Sequence, residues 1–141
     1  MGVIRLTNYE YQIADDEVTI TDYTGSENEI TIPSSIEGLP VTHIGWLSLT
    51  QKKLTSVTIP DSVTCIGQRA FAYNQLASVT IPDSVICIGN YAFLGNPLTG
   101  VTIGDIEIPL DLDETEWVKY CTGQKRISEL RTTFGNCELL D

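Results

Sequence analysis

The heptapeptide Leu54-Thr55-Ser56-Val57-Thr58-Ile59-Pro60 decides the fold, because it recurs along the chain. It returns as LASVTIP at residues 76–82 and as LTGVTIG at residues 98–104, a spacing of 22 residues. The residues after each copy keep the same register, so that 61–67 aligns with 83–89 and 70–71 with 92–93. Apolar residues at fixed offsets in such a period predict a solenoid, in which each turn buries its apolar face against its neighbours.

An earlier, diverged copy begins at Ile30. It carries a five-residue insertion around residues 37–40 and has VTHIG at 41–45, where the later copies have Val-x-Cys-Ile-Gly. A surface loop tolerates such an insertion because loop-closure entropy grows slowly with length. The sequence therefore predicts four repeat units, of which the first is irregular.

Within one unit, the alternating sequence predicts a short strand that points Val57 and Ile59 into the core and the residues between them to solvent. Pro60 ends this strand because it has no amide proton for the ladder. Gly67 is expected to permit a turn into a short helical piece that carries the next apolar pair. Stacking predicts two columns of equivalent side chains: Leu54, Leu76 and Leu98, and Phe71 with Phe93.

The pattern Leu-x-x-Val-x-Ile-Pro-x-x-Val-x-x-Ile-Gly-x-x-Ala-Phe resembles the BspA-like class of leucine-rich repeats, found in bacterial and some protist surface proteins. The resemblance covers residues 28 to 104. It implies a leucine-rich repeat solenoid, a β-rich, right-handed superhelix with parallel strands on one face and irregular or short helical turns on the other. It also implies binding to proteins, often host or matrix proteins, without catalysis.

The chain is expected to divide into a strand cap (1–27), the repeats (28–104) and a C-terminal cap (105–141). In the first cap we predict a β-hairpin with strands over 6–14 and 17–24, joined across Asp15-Asp16. The last segment lacks the repeat signature, and Asp113 or Thr115 could N-cap a helix within an irregular or helical cap. An alternative is that this segment is itself a functional element.

Composition and charge argue against some classes of function. The chain has 141 residues, with 19 acidic and 8 basic side chains and a net charge of −11, which disfavours direct nucleic-acid binding. No apolar run reaches about 18 residues, so we expect no membrane insertion. The first residues lack an apolar signal region. The compartment stays open: secreted or cell surface if a leader was removed, otherwise cytoplasmic.

The cysteines raise the questions of metal binding and disulfides. His43, Cys65 and Cys87 occupy equivalent positions in successive units, but no Cys-x-x-Cys pair accompanies them, so we predict no metal site. A Cys65–Cys87 bridge depends on favourable geometry between in-register neighbours, and we do not expect it. A Cys121–Cys137 bridge would close a loop of about 15 residues, stabilise the fold by about 3 kcal/mol and fit an exported protein. In a reducing compartment all four would be free thiols.

The sequence contains no set of residues typical of an enzyme. It has one histidine, no Gly-x-Ser-x-Gly, no phosphate-binding glycine loop and no His-Glu-x-x-His. Asp61 and Asp83 recur with the repeat, which indicates a role in turns. We predict no enzymatic activity, no catalytic residue and no cofactor.

Outward positions on the repeats suggest where a partner would bind. Trp46 aligns with Gln68 and Asn90, which predicts an exposed tryptophan, although it could instead fold over the insertion. Such a side chain beside Tyr73 or Lys52-Lys53 would be a binding hot spot. The candidate partner-binding residues are Trp46, Ser56, Thr58, Tyr73, Ser78, Thr80 and Thr102.

The prediction is a monomeric, non-enzymatic recognition module of a bacterial surface or secreted protein, whose partner is another protein. The alternative is an acidic intracellular inhibitor that occupies a basic site on an enzyme or nucleic-acid machine. Binding by exposed charges would weaken as salt rises.

Overall fold

The computed structural model describes residues 8–89 and 91–109. This part of the chain contains β-strands and turns and no helix. Its strands are β1 (Tyr9–Ala14), β2 (Glu17–Tyr23), β3 (Glu29–Thr31), β4 (Ser35–Ile36), β5 (Leu39–Ile44), β6 (Ser56–Thr58), β7 (Cys65–Ile66), β8 (Ser78–Ile81), β9 (Cys87–Ile88), β10 (Gly100–Ile103) and β11 (Ile106–Pro109).

Parallel pairing between successive turns confirms the solenoid. Each turn supplies two strands on different sides of the coil: β3 pairs with β6 and β8 with β10 on one side, whereas β5, β7 and β9 pair in that order on the other. We refer to residues 28–53, 54–75 and 76–97 as the first, second and third turns. The insertion forms the short antiparallel pair β4–β5 on the first turn.

The predicted columns form the core. Leu54, Leu76 and Leu98 are all buried, and the Phe71 and Phe93 rings stack with centroids 5.2 Å apart and planes 6° from parallel. In the first turn Leu49 takes the phenylalanine position and is fully buried as well. Full burial of each such side chain contributes about 2 kcal/mol, which no isolated turn could gain.

The prediction of a short helical piece in each unit is wrong for the described turns. Two positions that recur in every turn have left-handed backbones, which interrupt any helix: Leu47, Arg69 and Tyr91 at the first, and Gln51, Tyr73 and Gly95 at the second. Backbone groups in this segment bond to the neighbouring turn, as in Leu49 N to Ala70 O at 2.8 Å and Phe71 N to Ala92 O at 2.8 Å. Stacking thus satisfies the polar groups that a helix would otherwise pair internally.

Gly45, Gly67 and Gly89 occupy equivalent positions, which we call the glycine column, and their role differs from the turn predicted for Gly67. A Cβ on Gly67 would lie 2.7 Å from Trp46 N and 2.8 Å from Gly45 C, and a Cβ on Gly89 would collide with the Gln68 backbone. Gly67 N also donates to Ile44 O at 2.7 Å. These glycines therefore allow one turn's backbone to approach the next.

Buried asparagines join the turns. Asn74 Oδ1 accepts hydrogen bonds from Lys52 N at 2.9 Å and Leu54 N at 3.0 Å, and its Nδ2 donates to Leu49 O at 2.7 Å and Phe71 O at 2.9 Å. Asn96 repeats the arrangement one turn later. Asn74 and Asn96 recur at the repeat spacing of 22 residues, but that spacing does not predict this role.

The N-terminal strands form the expected hairpin. β1 and β2 are antiparallel, with left-handed Asp15 and Asp16 at the turn, and β2 pairs with β5 at the end of the sheet. Burial, reinforced by Tyr23 and Glu27, raises the pKa of Tyr9 to about 12, and Tyr9 Oη donates to Thr31 O at 3.3 Å. The cap role and the domain boundaries remain predictions.

At the other end, β11 folds back antiparallel on β10. The helix predicted from Asp113 or Thr115, like most of the expected C-terminal cap, lies outside the described residues.

Candidate functional site

The outward residues of β6, β8 and β10 form one surface, which we name the strand face. Its members were predicted as partner-binding residues and are Ser56, Thr58, Ser78, Thr80 and Thr102. The first four are exposed and Thr102 is half-buried. Strand register places Ser78 beside Gly100 and Thr80 beside Thr102, so the outward threonines of neighbouring turns lie side by side. Small hydroxyl side chains make this face polar.

Three aspartates border the strand face where its strands end. A groove of about 630 Å³ is lined by residues of the strand face together with Asp61, Asp83 and Asp105, which recur at the repeat spacing and are all exposed. Gly104, with φ of 57°, lies directly against the Asp83 carboxylate. The groove therefore presents negative charge and hydroxyl groups to solvent.

Trp46 lies on a different surface, which we name the Trp46 depression. It has a volume of about 620 Å³ and is lined by Gln12, Thr19, Thr21, Asp22, Gly45, Trp46, Leu47, Thr50 and Lys52. The Trp46 side chain is 66% exposed, so it does not fold over the insertion. Lys52 Nζ lies 2.9 Å from Asp22 Oδ1 in the same depression. The structure thus places the tryptophan in the same depression as Lys52, which was one of the two neighbours considered in the sequence analysis.

Tyr73 does not line either surface. It is 53% exposed, and its ring lies against Gly95, where a Cβ would be 2.5 Å from Tyr73 Cδ1. The seven candidate residues therefore do not form one site. Five share the strand face, Trp46 belongs to its own depression, and Tyr73 stands apart from both.

The structure joins Cys65 and Cys87 in a disulfide, contrary to our expectation. Their Cα atoms are 4.8 Å apart, because β7 and β9 are adjacent parallel strands with these two residues in register. In-register neighbours on one face are close enough for a bridge. His43 is the register partner of Cys65 on β5, which confirms the predicted row. Cys121 and Cys137 lie outside the described residues.

The repeat geometry agrees with a family model. Residues 42–110 match the model described as the BspA type leucine rich repeat region, with six copies. Residues 42–110 belong to the BspA type of leucine-rich repeat. The BspA-type pattern accounts for the leucine column, the glycine column and the stacked phenylalanines.

Several solved structures of leucine-rich-repeat proteins match this chain. A leucine-rich repeat protein from Bacteroides capillosus is 22% identical, with a TM-score of 0.52 over 71% of this chain and 96% of that one. The T. pallidum leucine rich repeat protein is 19% identical, with a TM-score of 0.44 over 78% and 73%. A leucine rich cell surface protein from Faecalibacterium prausnitzii is 20% identical, with a TM-score of 0.36 over 74% and 55%. No curated protein matches the sequence significantly.

The described residues offer neither a metal site nor a membrane-spanning helix. Within 8–89 and 91–109, no group of three or more His, Cys, Asp or Glu side chains is placed to hold a metal ion. The same ranges contain no helix with the length and apolarity needed to cross a membrane.

The sequence prediction missed two surface features of these BspA-type turns. The Asp61, Asp83 and Asp105 column was visible as a repeat spacing, but we assigned the first two only to turns. Ile86, which is 67% exposed beside Cys87, aligns with Thr64 and gave no signal as a surface residue.

Proposed function

We propose that the chain is a non-enzymatic protein-binding module that uses the Trp46 depression as its main contact with a partner protein. One observation carries the proposal: a tryptophan with two thirds of its surface in solvent projects from a turn whose backbone is hydrogen-bonded to the next turn. Tryptophans of this kind dominate the binding energy of protein interfaces, and a rigid backbone lowers the entropy cost of binding.

The surroundings of Trp46 suit a mixed interface. The Lys52–Asp22 ion pair and the hydroxyls of Thr19 and Thr21 provide polar groups beside the aromatic ring. Interfaces commonly combine an aromatic anchor with a polar rim. The absence of an enzyme motif in the sequence is consistent with this function.

A bacterial surface or secreted location is part of the proposal. The Cys65–Cys87 disulfide supports it, because disulfides form and persist mainly in oxidising compartments. Counting free thiols in protein from its native host, by intact mass with and without reduction and alkylation, tests the location. A protected pair at Cys65 and Cys87 supports export, and four reactive thiols contradict it.

The binding proposal is tested with immobilised wild-type chain and Trp46→Gln, which installs the second turn's residue at this position. Purified extracellular-matrix proteins serve as the probes, since family resemblance implies host or matrix partners. We expect a matrix protein to bind the wild type and to bind Trp46→Gln about 30-fold more weakly. Ile86→Ser, which alters another exposed apolar residue, is the matched control and should bind like the wild type.

A second candidate function is the acidic inhibitor, and the aspartate-lined groove favours it. Three exposed carboxylates at the end of the strand face would suit a basic protein surface. Binding of a basic partner would then fall steeply between 0.05 and 0.15 M salt, on the order of tenfold, and would weaken in Asp83→Asn. Salt-insensitive binding contradicts this alternative.

A further inference from the structure

The disulfide stands at the end of a row of side chains that crosses five strands. Strand register pairs Gln12 with Thr19, Thr19 with His43, His43 with Cys65, and Cys65 with Cys87. Register partners on neighbouring strands project from the same face of a sheet. The imidazole of His43 is therefore the neighbour of Cys65 on the side opposite Cys87.

The bridge is open to solvent. Cys87 is exposed and Cys65 is half-buried, and the adjacent Ile86 is 67% exposed, so no described residue shields the Cys87 side. Structural disulfides resist reduction, whereas exposed ones are the ones that exchange with other thiols. Access therefore favours attack at the Cys87 sulfur.

The second and third turns have other connections that do not depend on the bridge. Gly89 N donates to Ile66 O at 2.8 Å, and Asn96 Nδ2 donates to Phe71 O at 2.9 Å. The Phe71 and Phe93 rings stack beneath the same turns. Opening the disulfide consequently leaves the stacking contacts of the solenoid in place.

We propose that the Cys65–Cys87 disulfide is a thiol-exchange site that captures an external thiolate as a mixed disulfide on Cys87. The thiolate sulfur attacks Cys87 Sγ, the new sulfur–sulfur bond forms, and the Cys65–Cys87 bond breaks. Its electron pair stays on Cys65 Sγ as a thiolate. The protein disulfide is the oxidant in this step, so no further redox partner is required.

His43 assists by stabilising the departing sulfur of Cys65. An imidazole beside a cysteine favours the thiolate, and a thiolate that is better stabilised leaves faster. Thr42 Oγ1 lies 2.8 Å from His43 Nδ1 and orients the ring. No other charged residue occurs in β5, β7 or β9, whereas β2 contributes Glu17 and Asp22 and β1 contributes Glu10. His43 is thus the titratable group next to the bridge on its own strands.

The test uses the full oxidised chain and two probes: N-acetylcysteine, a small thiol, and a short peptide with one cysteine, which represents a protein thiol. Rapid alkylation stops the reaction, and peptide mapping locates both the adduct and the alkylated sulfur. We expect the adduct on Cys87 and alkylation on Cys65, with each probe. Reaction with N-acetylcysteine alone would identify small thiols as the physiological class, and reaction with the peptide would extend it to protein partners.

His43→Asn is expected to slow the exchange about tenfold, whereas His43→Lys restores part of the rate. Thr64→Ala, a neighbour outside the row, is the matched control and should react like the wild type. Adducts mainly on Cys65, or a native chain that exchanges no faster than buried disulfides do at millimolar thiol, would overturn the proposal. Because the site of the adduct is read in the wild type, this outcome does not depend on whether a variant folds.

Discussion

The first turn and the two turns after it have the same backbone conformation at equivalent positions, but the side chains on their surfaces differ. Leu47 and Arg69, at the same place in successive turns, have φ values of 57° and 54°, and Gly45 approaches Ile20 O as Gly67 approaches Ile44 O. The side chains that project outward nonetheless differ between these turns. Stacking therefore constrains the interior and the backbone path, and leaves outward positions free to specialise.

One aligned position shows this division clearly. Asn74 and Asn96 are buried and tie neighbouring turns together, whereas the first turn has Lys52 there. Lys52 instead reaches Asp22 at 2.9 Å and lines the Trp46 depression, and its backbone N–H is satisfied by Asn74 of the next turn. Because the first turn has no asparagine at this position, Lys52 can contribute to the surface.

The largest effect is expected for Asn74→Ala, which tests whether the second turn holds the first. Removing the side chain leaves backbone groups of both turns unpaired, among them Leu54 N and Leu49 O. We expect the free energy of unfolding to fall by about 4 kcal/mol, measured by urea denaturation with the disulfide intact. Lys52→Ala at the aligned position is the control, with a loss below about 1 kcal/mol. Equal losses would show that the two positions do not differ as described.

Gly67→Ala tests the close approach of the turns. The added methyl would lie 2.7 Å from Trp46 N, and backbone cannot move aside without breaking the Gly67 N to Ile44 O bond. A loss of about 2 to 3 kcal/mol is expected in the same measurement. Gly100→Ala, where a Cβ meets nothing within 4 Å, should change stability little. A tolerated Gly67→Ala would contradict the packing explanation.

Tyr9 extends the comparison to the hairpin that adjoins the first turn. Its folded pKa of about 12 exceeds the unfolded value of about 10, so its stabilising contribution is complete below pH 10 and is lost as the pH rises towards 12. Across this window the wild type should lose at most about 2 kcal/mol more than Tyr9→Phe, followed by unfolding at each pH. Tyr73→Phe, at an exposed tyrosine, should track the wild type. Parallel curves for wild type and Tyr9→Phe would refute the assignment.

The smallest stability effect is expected for Trp46→Gln. Because two thirds of the side chain is already in solvent, its replacement should change the free energy of unfolding by less than about 0.5 kcal/mol. Thermal and urea unfolding measure this directly. A loss above about 2 kcal/mol would show that Trp46 stabilises the first turn and is not mainly a surface residue.

The repeat spacing was sufficient to predict the solenoid, the leucine column and the Phe71–Phe93 stack, because these depend on periodic apolar residues alone. It could not predict the helix-free turns, since local propensity does not reveal that Leu49 and Phe71 amides bond to the next turn. The asparagine role also depends on contacts between turns. A sequence alignment records that Asn74 and Asn96 recur without showing what they bond.

The candidate site was predicted in part. Exposure of Trp46 followed from the polar residues aligned with it, and exposure of Thr58 and Thr80 followed from strand alternation. The separation of Trp46 from Thr58 and Thr80 did not, because it depends on which side of the coil each segment occupies. The repeat alignment puts Cys65 and Cys87 at equivalent positions, but it does not give the geometry of their side chains. The bridge was therefore not predicted.

The central claim is that the diverged first turn binds the partner and that the regular turns support it. The dissociation constant of a purified matrix-protein partner tests this claim most directly. It is measured side by side for wild type, Trp46→Gln and the strand-face double variant Thr58→Ala/Thr80→Ala, each confirmed to be folded. The account predicts about 30-fold weaker binding for Trp46→Gln and less than about threefold for the double variant. The reverse order, with Trp46→Gln binding normally and the strand-face variant losing the partner, would contradict it.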